Sequence, residues 1–108
     1  MSLRFCSLAS GSRGNCLYLS SENTTVIIDA GISLKRIERG LGKFGGGKIN
    51  LLITHTHSDH VSGLASFVRK YSPSVYCFGG CYDKVKDIVM GGAEVTAFDG
   101  DFYLGGIF

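Results

Sequence analysis

Residues 49–60 constrain this chain more than any other stretch. Ile49-Asn50-Leu51-Leu52-Ile53-Thr54 is a mainly apolar run of the kind that forms strands buried on both faces, which suits a central parallel strand. It passes without a linker into His55-Thr56-His57-Ser58-Asp59-His60, and these six residues hold all three histidines of the chain. A buried strand ending in a histidine cluster must sit inside a layered sheet, with its polar end at the edge of that sheet.

The flanking patterns agree. Arg4 to Ala9, Cys16 to Leu19 and the β-branched run Thr25-Val26-Ile27-Ile28-Asp29 read as three short strands joined by turns, an antiparallel meander. Ser33 then opens a helix with Leu34, Ile37, Leu41 and Phe44 on one stripe, ended by the glycines at 40, 42, 45, 46 and 47. After the histidines, a helix beginning at Ser58 or Asp59 carries Val61, Leu64, Phe67, Val68 and Tyr71 inward and stops at Pro73. Val75 to Phe78 is a further buried strand and Cys81 to Met90 a further helix. Glu94 to Phe98 and Phe102 to Leu104 are strands around the turn Asp99-Gly100. The order predicts an α/β domain: one mixed sheet with three helices on one face.

That architecture leaves the second face of the sheet apolar, which soluble monomers avoid. The chain also closes on an apolar segment, Phe102-Tyr103-Leu104-Gly105-Gly106-Ile107-Phe108. We therefore expect residues 1–108 to form one domain cut short at its C-terminal side, and to self-associate as a homo-oligomer through the uncovered face. No apolar run approaches the ~20 residues that span a bilayer, so no membrane partner is expected. The first residues lack the apolar stretch of a signal peptide, which predicts a cytoplasmic setting and makes the four cysteines free thiols or ligands before disulfides. A net charge of +2 neither requires nor excludes a nucleic-acid partner.

In extended chain alternate side chains point the same way, so His55 and His57 project together. Asp59 and His60 arrive from another direction as the chain turns into the helix. One loop can thus offer two pairs of ligands to two divalent metal ions. Imidazole suits zinc, iron or manganese, and carboxylate suits the harder members of that set. The carboxyl end of a strand in an α/β sheet is where such sites form.

His55-Thr56-His57-Ser58-Asp59-His60 resembles the H-x-H-x-D-H motif of the metallo-β-lactamase fold superfamily, and Val26-Ile27-Ile28-Asp29-Ala30-Gly31 resembles the strand-Asp-x-Gly element before it. Leu8-Ala9-Ser10-Gly11-Ser12-Arg13-Gly14-Asn15-Cys16 further resembles the WalJ/YycJ-like exonuclease branch. The resemblance implies an αββα sandwich of which this chain covers about the N-terminal half. It implies His55 and His57 on a first metal, Asp59 and His60 on a second, with Asp59 also acting catalytically toward the attacking water. It implies for Asp29 a supporting role that fixes a histidine tautomer or the loop, although a carboxylate ending a buried strand is also a common turn residue. The implied activity is phosphodiester hydrolysis in DNA with zinc, manganese or iron. Hydrolysis of a thioester, lactone or other small substrate on the same fold, or an inactive half-domain, are the alternatives. No histidine follows His60, so each metal gains two ligands from this motif where a catalytic zinc usually has about three.

Other features read more plainly. Ser10 to Asn15 is a glycine-rich hairpin turn rather than a phosphate cradle, since no helix follows it. Lys35, Arg36, Arg39 and Lys43 form a solvated helix face before a nucleic-acid contact. Cys77 and Cys81 are separated by three residues and read as structural thiols.

Overall fold

The computed structural model describes residues 4–12, 14–21, 24–41 and 48–98, with the backbone alone at Arg4, Leu41, Lys48, Ser58 and Asp59. Among the described residues six strands form one sheet in chain order: β1 (Arg4–Ala9), β2 (Cys16–Ser20), β3 (Thr24–Ile28), β4 (Lys48–Ile53), β5 (Ser74–Phe78) and β6 (Val95–Phe98). The pairs β1–β2 and β2–β3 are antiparallel; β3–β4, β4–β5 and β5–β6 are parallel. The expected meander followed by parallel crossovers is therefore present. The expected strand at Phe102 to Leu104 and the turn at Asp99-Gly100 lie outside the described residues, as do Arg13, Lys43 and Phe44.

The helices are α1 (Leu34–Leu41), α2 (Ser58–Val61), α3 (Leu64–Tyr71) and α4 (Tyr82–Val89), the last entered through a single 3-10 turn at Gly79–Cys81. The α1 start follows the expectation: the Arg36 N–H donates to the Ser33 hydroxyl at 3.3 Å. All the crossovers advance across the sheet in the same direction, and right-handed connections then place every helix on the same face. The core lies on that face. Ile27, Leu51 and Val75 stand in register on neighbouring strands, as do Ile53 and Cys77, and they pack with Ile37, Leu64, Phe67, Val68 and Val85 from the helices. The side chains between them, among them Ile28, Leu52, Tyr76, Phe78 and Phe98, belong to the opposite face. Phe5 (63% exposed) and Phe78 (45%) are bare there.

One helix departs from its sequence reading. The single helix expected from residue 58 to 71 is two, α2 and α3, broken around Gly63. The break admits the segment after β3. The Gly63 N–H donates to the Ala30 carbonyl at 2.7 Å, and the Ala30 N–H donates to the His60 carbonyl at 2.8 Å. Two backbone groups that an unbroken helix would spend internally instead bind a loop 30 residues upstream. Helix α1 is joined to α3 by Glu38, whose carboxylate takes the Lys70 ammonium and the Tyr71 hydroxyl. Bonding first to Lys70 and then to Tyr71 holds the Glu38 carboxyl below its ordinary range. Among the described residues no helix is long and apolar enough to cross a membrane.

Candidate metal centre

The site is built at the carboxyl ends of β3 and β4, which lie side by side with Ile28 opposite Leu52. Just past β3 the chain turns at Asp29, which adopts a left-handed φ of 65°. Short polar residues tolerate that conformation better than others, because their side chains can bond locally. The Asp29 N–H still continues the ladder, donating to the Leu52 carbonyl at 2.8 Å. Its carboxylate is therefore aimed across the sheet edge at the residue that follows β4.

That residue is Thr54. Its N–H donates to Asp29 Oδ1 at 2.8 Å and its hydroxyl donates to Asp29 Oδ2 at 2.6 Å. The same Oδ2 accepts from Nδ1 of His60 at 2.7 Å. Asp29 is 4% exposed, and three donors meet its charge at that depth. The Thr54 oxygen in turn lies 3.1 Å from Nδ1 of His55. Because the threonine proton is committed to Asp29, that nitrogen must be the donor in the pair. Nδ1 of each ring thereby faces an acceptor, directly in His60 and through the Thr54 oxygen in His55.

The rings are gathered at the mouth of this network. His55 lies 4.8 Å from His60 and 6.3 Å from His57, between ring centroids. His55 and His57 are exposed and His60 is half-buried. The His60 N–H closes a turn onto the His57 carbonyl at 2.9 Å, which brings the extended residues into α2. Asp59 lies on α2, and its side chain falls outside the described residues. Asn15 approaches from the β1–β2 turn, with its Nδ2 at 3.5 Å from His60 Nε2. Its amide is tied to the Gly11 peptide at both ends, by bonds of 3.2 and 2.9 Å. Gly14 lets this turn dock: a Cβ there would stand 2.6 Å from the Gly31 carbonyl oxygen.

In kind, these donors fit a divalent ion. Ligating histidines ordinarily give their second ring nitrogen to a carboxylate or another acceptor, as His60 and His55 do here. In number they are short: among the described residues no three His, Cys, Asp or Glu side chains are grouped to hold one ion. The structure thus joins His55, His60 and Asp29 through hydrogen bonds and places His57 beside His55. Thr54 and Asn15 escaped the sequence reading. The signal for Thr54 was present, a hydroxyl residue directly between a buried strand and its histidines, but nothing local marks its partner.

The remaining features supply no further ligand to the described centre. Lys35, Arg36 and Arg39 are exposed on α1. Cys6, Cys16, Cys77 and Cys81 are all free thiols. Burial, aided by the nearby Asp29 charge, pushes the Cys16 thiol up to about 12, which keeps it protonated and inert.

Comparison with known proteins places this geometry in a family. Residues 9–97 match the model of the metallo-beta-lactamase superfamily. An exodeoxyribonuclease YycJ of Bacillus anthracis is 45% identical over 80 residues, which cover 70% of this chain and 30% of that protein. An exodeoxyribonuclease WalJ of Streptococcus pneumoniae serotype 2 is 40% identical over 76 residues, covering 68% of this chain and 28% of that protein. The crystal structure of the BLEG-1 B3 metallo-beta-lactamase superposes with a TM-score of 0.69 at 16% identity, over 94% of this chain and 57% of that one. The chain therefore spans less than a third of the length of either nuclease.

Proposed function

We propose, from the premise that this chain belongs to the metallo-beta-lactamase superfamily, that the protein it forms is a metal-dependent hydrolase of phosphodiester bonds, a DNA exonuclease. The observation that carries this is the gathering of His55 beside both His57 and His60 at the carboxyl end of β4, in a chain 45% identical to a named exodeoxyribonuclease across 80 residues. His55 and His57 would hold a first divalent ion; Asp59 and His60 would hold a second. Imidazole-rich donors favour zinc, with manganese or iron as the other candidates. When bound, such a pair of ions supplies an activated water and neutralises charge on the phosphate being cleaved. The protein's part would be to hold His55 and His60 by their Nδ1 atoms, so that Nε2 is the ligating nitrogen, and to present Asp59 for orienting the water. Four free thiols favour a reducing, cytoplasmic setting.

The test is release of nucleotides from linear duplex DNA by the full-length protein. Activity should vanish on chelation, return with zinc or manganese, and fall by at least about 100-fold in His57→Ala, in line with loss of a catalytic metal. Cleavage that persists in chelator, or turnover of a thioester with none of DNA, would overturn the assignment. Residues 55–60 alone offer two ligands to each ion, so the 108-residue chain by itself is expected to turn over DNA poorly.

The sheet face opposite the helices, left open among the described residues, supports a second reading for that isolated chain, self-association. Phe5 and Phe78 stand exposed on the same face as Leu52 and Tyr76, and at ~25 cal/mol per Å² their hydration costs several kcal/mol. In a purified sample the apolar surface available to cover them is the same face of a second copy. Light scattering should give a dimer or larger species, and Phe78→Lys should shift it toward monomer. A folded monomer at all concentrations would rule the association out.

A further inference from the structure

We infer that the Thr54 hydroxyl is a positioning group through which one carboxylate, Asp29, sets the tautomers of two histidines assigned to different metal positions. The assignment of His55 and His60 to separate ions rests on the function proposed above; the relay itself rests on hydrogen bonds alone.

The direction of each proton follows from the atoms. An ionised carboxylate only accepts, so both groups on Asp29 Oδ2 are donors: the Thr54 hydroxyl at 2.6 Å and His60 Nδ1 at 2.7 Å. A hydroxyl has one proton, and that proton is spent on Asp29. Its oxygen can therefore only accept from His55 Nδ1 at 3.1 Å. Imidazole in water favours the opposite tautomer, with the proton on Nε2, where it would block a metal. Asp29 corrects His60 directly and His55 through Thr54. The 2.8 Å bond from the Thr54 N–H to Oδ1 pins the backbone, so the hydroxyl reaches Oδ2 without searching. A valine at this position would keep the shape and the backbone bond while losing the relay. It should affect His55 and spare His60, whereas loss of Asp29 should affect both.

The experiment is histidine side-chain ¹⁵N NMR of the metal-free protein at about pH 8.5, where ordinary imidazoles are neutral. Wild type should show pyridine-type Nε2 resonances for His55 and His60. Thr54→Val should move the His55 Nε2 toward the pyrrole type and leave that of His60 in place, and Thr54→Ser should restore the wild-type pattern. A His55 signal that ignores Thr54→Val would overturn the relay. So would a serine variant that fails to restore it while keeping the wild-type fold. Zinc titration of the full-length protein carrying the same substitutions separates the two ideas. With the relay and the metal assignment both correct, Thr54→Val weakens one of two binding events by about 10- to 100-fold. A tautomer switch in a protein that binds no zinc supports the relay and overturns the metal assignment.

Discussion

Gly63→Ala should be among the most damaging single substitutions in this protein, although it adds one methyl group. The new Cβ would stand 1.9 Å from the Ile32 carbonyl oxygen, 3.1 Å from its carbonyl carbon and 3.2 Å from the Ala30 oxygen. These are backbone atoms, so no rotamer change can relieve the overlap. The segment after β3 must withdraw, and with it go the Gly63–Ala30 and Ala30–His60 backbone bonds. Overpacking of a rigid site costs about 1–3 kcal/mol, and stranding buried backbone groups adds about 1–3 more. The total is a large share of the ~5–15 kcal/mol that stabilises a domain. Urea denaturation should show this loss, together with a disturbed His60 environment, because the displaced loop carries Asp29. Gly80→Ala is the control: its Cβ would meet nothing within 4 Å, and stability should change by less than about 0.5 kcal/mol. Equal midpoints for the Gly63 and Gly80 variants would show that the close approach is not present in solution.

Asp29→Ala should have the second large effect, on both stability and metal binding. Three donors converge on this carboxylate: the Thr54 N–H, the Thr54 hydroxyl and His60 Nδ1. Removing the acceptor leaves them facing one another around a buried hole. Stranding buried donors costs about 1–3 kcal/mol, and loss of such support costs metal ligands about 10- to 100-fold in affinity. Asp29→Asn should be milder. Asparagine also tolerates the left-handed φ of 65°, and its oxygen can serve one side of the network while its NH₂ opposes a donor on the other. Thermal melts and zinc titration of the two variants should rank wild type above Asn above Ala. An alanine variant within 1 kcal/mol of wild type, with zinc affinity unchanged, would refute the role given to this carboxylate.

The strands and the placing of the histidine cluster were legible along the chain because their signals are local. The run from Ile49 to Thr54 alternates little and so announces an interior strand, although its Leu52 is only half-buried in the structure. The cluster after it follows without a gap. Thr25 to Asp29 shows the same β-branched character, and its closing carboxylate lies where the neighbouring strand also ends. Self-association was read from the layer count and the role of Asp59 from the family resemblance, and both stand as proposals. The terminal strand near Phe102 lies outside the described residues.

The connections among the polar groups were not legible, since each joins parts of the chain that no periodicity relates. Asp29 meets Thr54 across 25 positions and His60 across 31, and Asn15 reaches His60 across 45. A helical stripe running through Val61, Leu64 and Phe67 predicts one continuous helix, because amphipathic spacing registers side chains and is blind to a backbone N–H drawn away by Ala30. Sequence alone determined which residue types stand at the end of β4. Only the tertiary structure decided which groups the Nδ1 atoms of His55 and His60 face, because that depends on a carboxylate delivered by a different strand.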